Sequence, residues 1–280
     1  MFVSATYQPL LRQLGIDADA VFDRPDIRCW RKLPDRENCT LDADLPDGRH
    51  VRFHIKRYAA SRGATTPADG DAAGHRLLEA ASIPTAPLVA HGNLRDGRSF
   101  VMFDDLTGYT PTDKLIEQGT GFEPLLEPTA DLAAKLHNAG LHHRDLYLCH
   151  FLAKVDDERV DLKLIDTARV KRLPGLFPQR WIVKDLAQFS YSTLRLPITS
   201  EQRLQWLSRY AAKREIGSSG ALEARIERKV RSIARHDARL HLDRPERDVS
   251  IPTVDYVVAD RRLQSTELPL PPSPSGRGPG

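Results

Sequence analysis

The feature that most constrains this sequence is a polar segment over residues 142–152, which lies between a predicted helix and a predicted hairpin. It contains the pair Arg144 and Asp145 and a further polar side chain, His150, five residues after the aspartate. An apolar strand then delivers a second carboxylate, Asp166, at a point 21 residues beyond Asp145. This order predicts that the chain is organised around one polar site, to which the loop and the later strand both contribute.

The bulk properties are those of a globular protein with two closely packed lobes or one large domain, since the chain has 280 residues. The formal net charge of +3 is too small to indicate a nucleic-acid partner. The three cysteines have no paired spacing, and an odd number argues against a disulfide framework, so we expect a reducing cytoplasm. The sequence predicts neither a signal peptide nor a membrane span, because no apolar run approaches ~18 residues.

The first part of the chain has the periodicity of a small sheet. Residues 1–25 carry apolar side chains at helical spacing and predict an N-terminal helical extension. Residues 26–103 contain short alternating runs separated by turn signals, and they predict five antiparallel strands. Within them, residues 59–70 are rich in small side chains and predict a mobile loop, and residues 71–82 predict one helix.

Residues 104–262 are mainly helical in pattern. The predicted helices cover residues 112–118, 128–138, 181–192, 200–213 and 219–240, and the segments 151–155 and 160–165 predict a hairpin. Gly140 is the expected stop of the second helix. The Pro/Ser/Gly-rich residues 263–280 predict a disordered tail. The expected fold class is therefore α+β, with a sheet-containing lobe over residues 26–103 and a helical lobe over residues 104–262.

Phosphoryl transfer requires a cation on the phosphates, a carboxylate for Mg²⁺ and a residue that orients the attacking hydroxyl. The sequence offers Lys56 on a strand, then Asp145 with His150, then Asp166, in the order that the protein-kinase signature requires. Asp145 is predicted to align the acceptor hydroxyl and accept its proton. Asp166 is predicted to bind Mg²⁺, and Lys56 to contact the nucleotide phosphates. The pattern predicts a phosphotransferase with a two-lobed protein-kinase-like fold.

Each of these residues alone also has an ordinary explanation as a turn former or a solvated charge, so the prediction depends on their joint order. A zinc site built from the histidines near the loop is disfavoured, because their spacing matches no zinc motif. Lys56 requires an acidic partner on the helix that follows. Asp71 and Glu79 are the candidates, since they lie about two turns apart on similar faces, and Asp71 is favoured.

The loop resembles the catalytic loop of the lipopolysaccharide kinase (Kdo/WaaP) family, whose members phosphorylate core sugars of bacterial lipopolysaccharide. The matching residues are His143-Arg144-Asp145-Leu146-Tyr147-Leu148-Cys149-His150-Phe151-Leu152. Three further segments, 99–106, 165–169 and 180–186, resemble the family's hinge, its metal-binding segment and the helix whose aspartate braces the loop. The resemblance covers about residues 26–215.

This resemblance implies ATP and Mg²⁺ as cofactors and assigns further site residues. Asp104 and Leu106 would lie at the hinge, where adenine docks on backbone groups. His150 stands where protein kinases have asparagine, as a ligand of the metal or a contact of the phosphates. Arg144 belongs to the catalytic loop, and Asp71 falls where the family carries a helix glutamate as the partner of the strand lysine.

Two departures from the family pattern predict a slower enzyme. The turn over residues 32–38 has no glycine, which removes the usual backbone cradle for the phosphates. The aspartate that replaces the helix glutamate is one methylene shorter.

The acceptor implied by the resemblance is a heptose or Kdo hydroxyl of the lipopolysaccharide inner core, with peripheral contact at the cytoplasmic face of the inner membrane. Basic residues are placed for such an anionic glycolipid: Arg169, Lys171, Arg172 and Arg180 near the site, and Arg225, Arg228, Lys229, Arg231, Arg235 and Arg239 on the last helix. For that helix, a solvated basic face is the commoner explanation, and lipid head groups are the alternative. Two other functions stay open: a kinase of this fold that acts on protein or another small molecule, and a nucleotide-binding pseudokinase.

Overall fold

The first lobe is built on one antiparallel sheet in the computed structural model, which describes residues 1–156, 159–217 and 220–243. Its strands are β1 (Phe2–Val3), β2 (Ile27–Lys32), β3 (Arg36–Asp44), β4 (His50–Tyr58), β5 (Leu88–Asn93) and β6 (Ser99–Asp104). They lie in the order β1-β5-β6-β4-β3-β2. The sheet has six strands where the sequence predicted five, because β1 is too short to show a period-two pattern.

The first 25 residues do more than form a helical extension. Strand β1 pairs with β5 at the sheet edge, and two short helices follow, α1 (Gln8–Gln13) and α2 (Ala20–Asp23). Leu11 and Val21 from these helices are buried in the same core as Phe53 and Met102 of the sheet. The segment is therefore an integral part of the first lobe.

Helix α3 (Pro67–Ala80) starts inside the segment that was predicted to be a loop. Thr66 and Asp69 form a capping box, in which each side chain accepts a hydrogen bond from the backbone N–H of the other residue. Gly74 lies where α3 touches the backbone of Thr167, since a Cβ there would stand 2.0 Å from the Thr167 carbonyl oxygen. This close approach brings Asp71, one turn earlier on the helix, towards the segment that follows Asp166.

The second lobe is mainly helical, as predicted. Its elements are β7 (Thr110–Pro111), α4 (Thr112–Glu117), α5 (Glu123–Asn138), β8 (Leu141–His142), β9 (Phe151–Asp156), β10 (Arg159–Leu164), β11 (Lys171–Arg172), α6 (Gln179–Thr193), α7 (Ser200–Lys213) and α8 (Gly220–Asp243). Helix α5 begins at Glu123 rather than at Pro128, because Pro124 occupies its first turn and Pro128 is accommodated inside the helix. Gly140 has a φ of +69° just beyond the end of α5, as expected of a helix stop.

The core of this lobe surrounds stacked aromatic rings. Phe189 of α6 and Trp206 of α7 have centroids 4.0 Å apart, and Phe151 of β9 meets Phe189 edge-on at 5.7 Å. Helix α8 packs on this core through its predicted apolar stripe, with Ile226 buried. The predicted tail over residues 263–280 and the lobe end over 244–262 lie outside the described residues. Among the helices that the structure describes, none has the length and apolarity needed to cross a membrane.

Candidate active site

The loop over residues 143–150 is fixed by a carboxylate from α6. Asp185 is fully buried and accepts hydrogen bonds from the backbone N–H groups of His143 at 2.6 Å and Arg144 at 2.8 Å. Arg144 has a φ of +69°, and a left-handed backbone costs about 1–2 kcal/mol in residues other than glycine. The two hydrogen bonds offset this cost and set the backbone immediately before Asp145. The expectation that the aspartate of this helix braces the loop is confirmed.

Asp185 also links the stability of the fold to pH. Burial by itself would raise the pKa of Asp185, but the hydrogen bond from His137 and the charges nearby hold it below its ordinary value. A carboxyl group with a lower pKa in the folded state adds stability above its unfolded pKa of about 3.9. That stability is lost as the pH falls through the folded pKa.

Replacing Asp185 with alanine should lower the free energy of unfolding by ~3–5 kcal/mol at pH 7, because two loop N–H groups and His137 lose their partner. Urea titration measures the change, and the gap between wild type and variant should narrow below about pH 4. Asp131→Ala is the control, since Asp131 pairs with Arg209 and Lys213 near the surface and should cost less than ~1 kcal/mol. An equally small loss in Asp185→Ala would show that other contacts hold the loop.

Asp145 presents a partly open carboxylate, with 16% of its side chain exposed. It accepts hydrogen bonds from Nη1 of Arg169 at 3.1 Å and Nε2 of Gln188 at 3.4 Å. Arg169 was predicted to lie near the acceptor, and in the structure its guanidinium contacts the Asp145 carboxylate. Lys171 and Arg172, also predicted near the acceptor, form the exposed strand β11.

Lys56, Asp166 and His150 meet, as the sequence order predicts. The Nζ of Lys56 donates to Oδ1 of Asp166 at 2.8 Å, and Nε2 of His150 lies 3.8 Å from Oδ2 of the same carboxylate. The Nδ1 of His150 hydrogen-bonds the backbone carbonyl of Asp145 at 2.7 Å. One histidine therefore connects the backbone of the loop at Asp145 to the carboxylate at the strand end.

The charges of this cluster shift one another's protonation. Burial opposes ionisation of Asp166, but Lys56 and His150 hold its pKa well below the ordinary value. Burial also opposes the charge on Lys56, yet Asp166 and Asp71 raise its pKa. For His150, burial is outweighed by Cys149 and Asp166, which raise the pKa of the imidazole. Asp166 is therefore ionised at neutral pH and lies beside the ammonium group of Lys56.

Asp71, and not Glu79, is the helix partner of Lys56. Its Oδ2 lies 3.3 Å from Nζ of Lys56, whereas the side chain of Glu79 is 62% exposed and pairs with His75. Asp71 has two further donors, the hydroxyls of Tyr58 and Thr167. The sequence did not reveal these donors, because they come from a strand and a turn that meet α3 only in the folded chain.

A cleft between the sheet and the second lobe joins the remaining predicted residues. It is lined by Trp30, Arg31, Arg36, Asn38, Cys39, His54, Ile55, Lys56, Thr85, Ala86, Phe103, Asp104, Leu106, Ile165, Asp166 and Thr167. Asp104 and Leu106 lie there as expected, and the Asp104 carboxylate accepts a hydrogen bond from the Tyr7 hydroxyl at 2.6 Å. Arg36 was missed from the sequence, although it stands in the turn that lacks glycine.

Several polar atoms of this cleft are buried without a hydrogen-bond partner in the described part of the chain. They are Nε1 of Trp30, Nε of Arg36 and Oδ1 of Asn38. Buried polar groups are normally paired, so an unpaired set that shares one cleft indicates a site for a polar ligand. The donors and the adjacent cations fit the base and phosphates of a nucleotide.

The histidines near the loop have separate partners. His137 contacts Asp185 and Tyr210, and the Nε2 of His143 hydrogen-bonds the Ile165 carbonyl at 3.0 Å. The ring of His142 lies against that of Trp181 at a tilt of 37°, with centroids 4.8 Å apart. Burial lowers the pKa of both His142 and His143. These residues pack and support the loop.

The features of the fold and the cleft together define the protein-kinase-like class. A strand lysine pairs with a helix carboxylate, a braced loop carries an aspartate, and a hairpin delivers a second aspartate to the same cleft. The chain belongs to the lipopolysaccharide kinase (Kdo/WaaP) family, because the model of that family matches residues 56–210.

Curated and solved relatives agree with this assignment. The lipopolysaccharide core heptose(I) kinase WaaP of Pseudomonas aeruginosa is 29% identical over 176 residues, which are 56% of this chain and 65% of the relative. This chain therefore spans just under two thirds of that relative's length. An Escherichia coli protein of the same name is 27% identical over 181 residues, 59% of this chain and 68% of the relative. The solved structure "WaaP in complex with acyl carrier protein" is 26% identical, with a TM-score of 0.63, and covers 80% of this chain and 96% of that chain.

Proposed function

We propose that this protein transfers the γ-phosphoryl group of ATP to a hydroxyl of a lipopolysaccharide inner-core sugar, heptose or Kdo. The observation that carries the proposal is the cluster of Lys56, Asp166 and His150, joined through the His150–Asp145 hydrogen bond to the braced loop. The sugar acceptor is inferred from the relatives, which are named as heptose kinases.

Asp145 aligns the acceptor in this proposal. Its carboxylate holds the sugar hydroxyl and takes the proton as the oxygen bonds to the γ-phosphorus and the bond to ADP breaks. Arg169 and Gln188 already fix the orientation of the carboxylate. Arg144 has a positioning role in the loop and does not contact the reacting atoms. Its guanidinium lies over the ring of Trp181, with 4.7 Å between its central carbon and the ring centroid.

The nucleotide phosphates are held by cations of the first lobe. Lys56 and Arg36 line the cleft beside Asp166, and Arg36 supplies positive charge where the glycine cradle is missing. The carboxylate of Asp166 is the hard oxygen ligand that Mg²⁺ prefers, and His150 completes the metal side or contacts a phosphate. Bound Mg²⁺ would neutralise charge on the phosphate oxygens.

The decisive experiment offers labelled ATP and Mg²⁺ together with dephosphorylated core oligosaccharide, with a generic protein substrate, or with no acceptor. Label on the sugar supports the proposal. Label on the protein substrate alone would show that the acceptor is a protein and not a sugar. Nucleotide binding without turnover would identify a pseudokinase. Removal of Mg²⁺ with a chelator should abolish transfer.

The protein also has a surface suited to the membrane in which a glycolipid acceptor resides. The side chains of Leu176 and Phe177 are 79% and 80% exposed in the turn between β11 and α6. Exposed Lys171 and Arg172 precede this turn, and Arg180 follows it. Apolar side chains flanked by basic residues are the usual composition of a contact with an anionic lipid surface. We infer a peripheral location at the cytoplasmic face of the inner membrane.

Changing both Leu176 and Phe177 to serine should lower partition onto phosphatidylglycerol-containing vesicles at least tenfold. Burial of each side chain is worth about 1.5–3 kcal/mol when complete. Vesicle co-sedimentation measures the partition, and turnover of a lipid-free oligosaccharide should stay within twofold. The control changes Leu194 and Leu204, which are 50% and 47% exposed elsewhere, to serine. Equal losses in the two double variants would contradict a specific role of the turn.

A further inference from the structure

A second cavity, of about 590 Å³, lies beside the catalytic-loop candidate and is distinct from the nucleotide cleft. Its lining residues are Arg144, Arg180, Trp181, Val183, Lys184, Arg225, Arg228, Lys229 and Ser232. They come from the loop, from α6 and from α8. Six of the nine carry a positive charge and none is acidic, so we call this cavity the basic cleft.

The cations of the basic cleft differ from several other arginines of the protein, which sit beside a carboxylate. Arg209 pairs with Asp131, Arg52 with Asp42 and Arg98 with Asp96. Among the described residues, the six cations of the basic cleft form no ion pair. A surface basic face selected only for solubility has no reason to gather like charges around one concave space, because each charge raises the free energy of the others.

Arg144 gives the clearest sign that the basic cleft receives a ligand. Its Nε is buried and has no hydrogen-bond partner in the part of the chain that the structure describes. Its guanidinium lies over Trp181, and Arg180 and Lys184 approach the same ring at 5.8 and 5.9 Å. Burial and the charge of Arg144 lower the pKa of Lys184 against the opposing effect of Asp145. Three cations around one indole form a site that an anion would complete.

The basic residues of helix α8 lie on two different surfaces, and only one of these surfaces lines the basic cleft. Arg225, Arg228 and Lys229 line the cleft. Arg231 instead approaches Glu227 at 3.7 Å, and Nε of Arg235 donates to the Arg231 carbonyl. The predicted basic face is therefore two surfaces, and one of them belongs to the active-site side of the protein.

We propose that the basic cleft binds phosphate or carboxylate groups carried by the acceptor saccharide next to the sugar that is phosphorylated. Arg144 adjoins Asp145 in the chain, so an anion on Arg144 would place the neighbouring sugar at the Asp145 carboxylate. Guanidinium groups suit this task because they bind phosphate and carboxylate in a bidentate manner. The identity of the acceptor in this inference rests on the proposed function. The existence of an anion-binding site in the basic cleft does not depend on it.

The test uses the full-length protein with Arg225 and Arg228 both changed to glutamate. These two arginines are not among the proposed catalytic groups. Arg231→Glu with Arg235→Glu is the matched control, with the same charge change on the same helix. The probe is a lipid-free core oligosaccharide that retains its phosphates and carboxylates, compared with the same oligosaccharide after phosphatase treatment and carboxyl reduction. Calorimetry without ATP gives the dissociation constant, and circular dichroism verifies that both variants fold.

The cleft variant should bind the anionic oligosaccharide at least tenfold more weakly than wild type, whereas the control should stay within twofold. The neutral oligosaccharide should not distinguish the three proteins. In turnover, the KM for the anionic acceptor should rise at least tenfold, while kcat and the KM for ATP change less than twofold. Oligosaccharide binding by a protein that transfers no phosphate would refute the proposed function and leave the basic cleft in place.

Three results would overturn the inference. Equal losses in the cleft variant and the control would indicate a general effect of net charge. Unchanged oligosaccharide affinity in the cleft variant would show that the acceptor binds elsewhere. A loss confined to phosphatidylglycerol vesicles, with no loss for the oligosaccharide, would assign the cleft to lipid head groups.

Discussion

Replacing Asp145 with asparagine should lower kcat for phosphoryl transfer by roughly 10³-fold, the usual scale for the loss of a positioned general base. Asparagine preserves the shape of the side chain but cannot accept the hydroxyl proton. The KM for ATP should change little, because Asp145 does not line the cleft between the sheet and the second lobe, where ATP is proposed to bind. Initial rates over a range of both substrates separate these effects.

The matched control for this variant is Asp96→Asn. Asp96 pairs with Arg98 in an exposed turn of the first lobe, far along the chain from the loop, and its change should leave kcat within twofold. A thermal melt of both variants excludes unfolding as the cause of lost activity. An Asp145→Asn variant that keeps more than a tenth of wild-type kcat would remove Asp145 from the role of base.

Changing Asp166 to asparagine should reduce activity by roughly 10³-fold and should also abolish the effect of Mg²⁺ on nucleotide affinity. The variant loses the carboxylate that Lys56 contacts at 2.8 Å and that is the best oxygen ligand of the cleft. Because the pKa of Asp166 is held well below its ordinary value, the carboxylate is ionised at neutral pH, and the removed charge is a full one.

Calorimetric titration of ATP with and without Mg²⁺ measures the second effect. In wild type, Mg²⁺ should strengthen ATP binding, and in Asp166→Asn the two titrations should coincide. Asp161→Asn is a suitable control, because Asp161 lies on the same hairpin and contacts Tyr109 and Lys163 instead. A persistent Mg²⁺ effect in Asp166→Asn would place the metal on other groups.

The site residues that the sequence revealed share one property: each stands at a fixed place on a local element. Lys56 lies within the long strand β4, and Asp166 follows the end of a hairpin strand. Asp145 lies in a loop after a helix that ends at a glycine. Local periodicity determines such places, so the order of the elements was enough to bring these residues together.

The sequence offered two candidates for the acidic partner of Lys56. Asp71 and Glu79 lie on similar faces of one helix, and periodicity cannot separate them. The structure separates them because Gly74 allows α3 to approach the backbone of Thr167, which places Asp71 beside Lys56. The hydroxyls of Tyr58 and Thr167 complete that site and have no signature in the sequence.

The sequence by itself determined the class of fold, the family and the three charged residues of the proposed reaction. The reason is that the polar residues of a kinase-like site stand at fixed places on regular elements, which a sequence pattern can show. Only the tertiary structure decided that Arg169 contacts Asp145, that Arg36 lines the cleft beside Lys56, and that α8 brings its cations against α6 and Arg144. The physical reason is that these contacts join side chains from distant elements, and their distances depend on how apolar faces pack. A pattern of residues along one helix gives its apolar stripe but not the neighbour on which the stripe rests.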